Sequence, residues 1–86
     1  MKVELSNISR KFLKKCQKED ASRIIKMIEE LSKDPFHSNS IKLGGDKNKT
    51  FRIRVGKYRI IYQLNYGNDC LLITEIGKRQ NIYKLK

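Results

Sequence analysis

Near residue 50 the spacing of apolar residues switches from helical to alternating, and that switch restricts the chain to a few layered folds. Before it, Ile8, Phe12, Leu13 and Cys16 lie on one helical face with lysines opposite, and Ser6, Asn7 and Ser9 offer capping oxygens. Asp20 reads as the cap of a second helix. In it Ile24, Ile25, Ile28 and Leu31 repeat at helical spacing, Lys26, Glu29, Glu30 and Lys33 take the wet side, and Asp34-Pro35 ends the run. Two short amphipathic helices with a tight break between them fold back on each other. A short strand is expected over Val3–Leu5. Phe36 to Asn48, with Gly44-Gly45-Asp46, reads as a loop that touches down at Ile41 and Leu43.

After the switch, Phe51, Ile53 and Val55 alternate with Arg52 and Arg54, and Tyr58, Ile60 and Tyr62 alternate with Arg59, Ile61 and Gln63. Cys70 to Gly77 forms a third β-rich run. Gly56-Lys57 and Tyr66-Gly67-Asn68-Asp69 supply the turns of an antiparallel meander. The expected fold is therefore α+β: one domain over residues 1–86, with an N-terminal helical hairpin packed on one face of a three- to four-stranded antiparallel sheet. If Phe51, Ile53, Val55, Tyr58, Ile60 and Tyr62 face the helices, then Arg52, Arg54, Arg59 and Gln63 share the open face. Tyr58 and Tyr62 are core residues on this parity rather than stacking platforms.

Charge narrows the function. The 86 residues carry 20 Lys+Arg against 9 Asp+Glu, a net +11, divided as +4 over residues 1–43 and +7 over residues 44–86. An anionic partner should therefore meet the second half. A chain this small has little apolar material left for a deep cavity, so an active site should be shallow. No apolar run spans a bilayer and the first residues do not resemble a secretory signal, which points to the cytoplasm. Cys16 and Cys70 fit neither a disulfide framework nor a zinc ribbon and read as reduced, half-buried residues. No metal, small-molecule cofactor or membrane is expected as a partner. Gly44-Gly45 lacks the context of a phosphate-binding loop. His37, in a polar loop far in sequence from the arginines, reads as exposed and without a catalytic partner.

Like charges paired across a hairpin cost up to about 1 kcal/mol, so clustered arginines point to a bound anion. Forked guanidinium groups match phosphate oxygens and suit a phosphodiester backbone. The plain alternative is a basic face that serves only solubility and edge protection.

The run Phe51-Arg52-Ile53-Arg54-Val55-Gly56-Lys57-Tyr58-Arg59-Ile60-Ile61-Tyr62 resembles the signature of the RelE/ParE superfamily of toxin–antitoxin toxins, Arg-x-Arg-x-Gly-x-Tyr-Arg-x-x-Tyr. Ile76-Gly77-Lys78-Arg79-Gln80-Asn81-Ile82-Tyr83 resembles its closing segment, and the resemblance covers nearly the whole chain. It implies a RelE-like fold, a cognate antitoxin and, in the RelE-like branch, a ribosome-dependent endoribonuclease that cuts mRNA to leave a 2′,3′-cyclic phosphate. The family's sheet arginine falls on Arg59, its closing arginine on Arg79 and its terminal tyrosine on Tyr83. Arg52 and Arg54 take the preceding hairpin positions. A family lysine aligns with Thr50 and is absent, although Lys47 and Lys49 could reach the same region. Lys78 stands where many relatives have His.

Beside the resemblance, the chemistry asks for a deprotonated 2′-oxygen, a stabilised phosphorane and a protonated leaving oxygen. Arg, Lys and Tyr have reference pKa values of about 10 and above, so charge stabilisation and positioning should dominate. Arg59 is assigned to the scissile phosphate and Arg79 to a second phosphate oxygen or the leaving group. Arg52, Arg54, Lys47, Lys49 and Lys78 would hold flanking RNA. Tyr83 would accept the 2′-proton or stack on a base, with simple edge packing as its plain alternative. The rival readings are a ParE-like gyrase inhibitor and a nucleic-acid-binding module without catalysis.

Overall fold

The computed structural model describes residues 1–43 and 49–78. Strand β1 (Lys2–Leu5) leads into helices α1 (Asn7–Lys15) and α2 (Lys18–Lys33). Strands β2 (Ile41–Leu43), β3 (Thr50–Val55), β4 (Tyr58–Asn65) and β5 (Cys70–Lys78) follow. They form one sheet in the order β1-β5-β4-β3-β2. The class is the expected α+β, but the sheet has five strands and is mixed. β1 runs parallel to β5, and Ile41–Leu43 pairs antiparallel with β3 instead of remaining a loop. The short strand expected over Val3–Leu5 is observed as Lys2–Leu5, whereas the three residues Ile41–Leu43 carry too little alternation to be read locally and are a strand through backbone pairing with β3.

Ile24, Ile28 and Leu31 of α2 meet Phe51, Ile53, Tyr58, Ile60, Tyr62, Leu64, Leu71, Ile73 and Ile76 in the core. The predicted parity of β3 and β4 is therefore observed on the helix side, and Tyr58 and Tyr62 are core residues. The helices are rotated from the expected stripe. Ile8 is 62% exposed and Ile25 46% exposed, whereas Ser9 is fully buried.

A β-bulge explains that buried serine. Ile61 lies opposite Glu75 and Tyr62 opposite Ile73, so Thr74 is the extra residue on β5. Side chains and backbone entering α1 occupy the carbonyls there: Ser9 Oγ donates to Ile73 O at 3.1 Å, Ser6 N to the same oxygen at 3.0 Å, and Ser6 Oγ to Thr74 O at 2.7 Å. Ser6 also caps α1, accepting from Ser9 N at 3.1 Å. Asp20 is not the cap of the second helix. α2 begins at Lys18 behind Gln17, and Asp20, in its first turn, accepts a hydrogen bond from Tyr58 Oη at 2.7 Å.

Candidate nucleic-acid interface

The sheet face turned away from the helices is set by the β3–β4 register, in which Thr50 faces Gln63, Arg52 faces Ile61 and Arg54 faces Arg59. Alternation places Arg52, Arg54 and Arg59 on this one face, with Gly77 of β5 beside Arg59. Their accessibilities differ. Arg54 is exposed and Arg52 half-buried, but Arg59 has no exposed surface. The expectation that Arg59 stands in open solvent is corrected. Gly77 brings no side chain opposite it, and Ile61 on the same face is buried too. A guanidinium held that deep exerts its charge through a medium that screens far less than water.

Lys49 and Lys78 do not join the arginines. Lys49, exposed, lies at the opposite end of the hairpin with its Nζ 4.1 Å from the centre of the Tyr66 ring. Lys78 pairs with Tyr58 and so belongs to the helix side, where it lines a groove of about 550 Å3 with Lys11, Lys15, Lys57 and Phe12. Gly77 and Lys78 are consecutive, and that single step sends them to opposite faces. Lys47, Arg79, Tyr83 and Gly44-Gly45 lie outside the described residues.

Other titratable groups are structural. His37 is only 19% exposed, not an open loop residue. Its Nε2 is 3.4 Å from Glu30 Oε1, and its Nδ1 accepts from Asn39 N at 3.1 Å. The hydrogen bond to Asp20, with burial adding to it, pushes the Tyr58 phenol up to about 12. Burial likewise raises that of Tyr62, whose Oη donates to Pro35 O at 2.9 Å. Neither phenol is poised to ionise near neutral pH. Cys16 is half-buried and Cys70 buried; both are free thiols. Among the described residues no group of three or more His, Cys, Asp or Glu is placed to hold a metal, and no helix is long and apolar enough to cross a membrane.

Two helices and a five-stranded mixed sheet with basic residues on the face away from the core are the α+β arrangement expected of a RelE-like toxin, and comparisons agree. The archaeal RelE of the RelE–RelB complex from Pyrococcus horikoshii OT3 is 26% identical, with a TM-score of 0.81 over 91% of this chain and 93% of that one. The isolated E. coli RelE toxin is 19% identical, with a TM-score of 0.79 over 98% and 92%. A YoeB/ParE toxin from Agrobacterium tumefaciens is 18% identical, with a TM-score of 0.77 over 92% and 99%. No curated protein sequence matches. The family model described as ParE toxin of type II toxin-antitoxin system, parDE, matches residues 3–83. The chain belongs to this family and is a toxin of a type II toxin–antitoxin system.

Proposed function

We propose that this toxin is an endoribonuclease that cuts mRNA on the ribosome by attack of a 2′-hydroxyl on the adjacent phosphate, and so inhibits translation. The observation that carries the reading is Arg54 directly opposite Arg59 on the sheet face that also holds Arg52. Forked guanidinium groups gathered on one face match the oxygens of a phosphodiester backbone in geometry and charge. Arg54 and Arg52 meet the RNA backbone. Arg59 stabilises the charge developing on the phosphorane from within the face, where low dielectric strengthens its effect. Arg79 meets a second phosphate oxygen or the leaving group, and Tyr83 accepts the 2′-proton or stacks on a base.

The described face is shallow and has no histidine, so the ribosome must orient the RNA. The test is mRNA cleavage on programmed ribosomes by wild type, Arg54→Ala, Arg59→Ala, Arg79→Ala and Tyr83→Phe. Cleavage by wild type and loss in the variants are expected; wild-type rates in all four would sink the assignment.

The match to a ParE family model favours a second reading, inhibition of DNA gyrase without RNA chemistry. Loss of supercoiling activity with intact mRNA would select it. In either case the site of action is the cytoplasm. The partner is a cognate antitoxin: the solved relatives from Pyrococcus horikoshii and Methanococcus jannaschii are complexes of RelE with RelB. A net charge of +11 favours fast, salt-sensitive capture of an acidic antitoxin segment.

A further inference from the structure

The far face does not end at the arginines. β4 continues through Gln63 and Asn65 with the same parity as Arg59, and Asn65 lies six steps along the strand from Arg59, about 20 Å. At that far end lies a cavity of about 450 Å3 lined by Glu4, Lys49, Gln63, Asn65, Tyr66 and Asn68, among others. It lies within the size range of small-ligand sites.

We propose that this cavity is a nucleobase subsite, which takes one base of the single-stranded RNA whose backbone crosses the arginine face; the proposal rests on the ribonuclease reading above. The chemistry of the lining supports it. Tyr66 is 49% exposed, with Lys49 over one face of its ring, in a cavity lined by both polar and apolar side chains. Its turn is closed by a bond from Asp69 N to Tyr66 O at 3.3 Å and by Asp69 in the left-handed region at φ 51°, so the ring is presented from an ordered support. Lys49 over that ring brings a cation to where a phosphate would flank a stacked base.

The amides supply reading groups. Gln63 Nε2 donates to Thr50 Oγ1 at 3.4 Å, which leaves its Oε1 as an acceptor. Asn65 Oδ1 accepts from Asn68 N at 3.2 Å, which leaves its NH2 as a donor. One acceptor and one donor, two positions apart on β4, can each meet a hydrogen-bonding group of a base. Glu4 sets the polarity, because its carboxylate opposes entry of a phosphate. A neutral base therefore enters, and the backbone stays on the side of Lys49.

The test measures binding of the full chain, at low salt, to fluorescently labelled single-stranded RNAs of about 3 and about 8 nucleotides by anisotropy. Tyr66→Ala should weaken binding of the longer RNA by roughly 5- to 100-fold and leave the shorter unchanged, while Tyr66→Phe retains binding, as a stacking role requires. Lys49→Ala, which should also weaken only the longer RNA, covers the case in which Tyr66→Ala fails to fold. If neither variant changes binding of the longer RNA while Arg54→Ala weakens it, the subsite is refuted and the ribonuclease reading stands. If wild type neither binds RNA nor cuts mRNA on ribosomes, that reading falls and takes the subsite with it.

Discussion

Arg54 and Arg59 illustrate how far one register pair separates the duties of identical side chains. Both sit on the same face, yet one meets solvent and the other does not. Arg54→Ala should therefore act mainly on RNA binding, raising the substrate concentration needed for half-maximal cleavage on ribosomes. Arg59→Ala should lower the maximal rate, by roughly the 100- to 1,000-fold typical of a lost charge-stabilising donor. Single-turnover cleavage across RNA concentrations separates the two, and equal effects on both parameters in both variants would contradict the division. Tyr58 permits a second forecast. Its pKa is raised in the folded state from 10.0 to about 12, so its contribution is complete below pH 10 and is lost as pH rises towards 12. Thermal melting from pH 8 to 12 should show a fall above pH 10 that Tyr58→Phe flattens.

The junction between α1 and β5 carries more than its length suggests. The bulge at Thr74 interrupts the ladder, and Ser6 and Ser9 bind the Ile73 and Thr74 carbonyls from the start of the helix. Ile73 O keeps Ser6 N as a donor when Ser9 is replaced, so Ser9→Val removes one buried hydrogen bond and should lower unfolding stability by about 0.5–1.5 kcal/mol in urea titrations. A wild-type midpoint would mean that the contact carries no weight. Ile24 of α2, fully buried against the sheet, should cost about 2–5 kcal/mol as Ile24→Ala. An exposed position such as Ile25→Ala should change stability by under about 0.5 kcal/mol. Sequence spacing alone ranks Ile24 and Ile25 equally.

For the molecule as a whole, the net charge of +11 makes ionic strength the controlling variable of any encounter with RNA or an acidic partner. Binding to single-stranded RNA should weaken linearly on a log–log plot against salt, with a slope of about 0.7 per phosphate contact. Replacing both Arg52 and Arg54 by Ala should reduce that slope by roughly 1.4. An unchanged slope would place the phosphates on the helices, where lysines also cluster, or in the groove beside Lys78.

Much of this was legible before the fold. The change of apolar period located two helices and three long strands, and the parity of Arg52, Arg54 and Arg59 assigned them to one face. Those properties couple residues a few positions apart, which the chain encodes locally. Tertiary contact settled the remainder: β2 exists through pairing with β3, β1 runs parallel to β5, Ser9 is buried where it donates to a carbonyl 64 residues away, and Asp20 serves Tyr58 rather than a helix end. The depth of Arg59 and the separation of Lys78 and Lys49 from the arginines belong to the same group. Burial and edge pairing depend on which distant segments meet, and a local pattern of side chains contains no record of that.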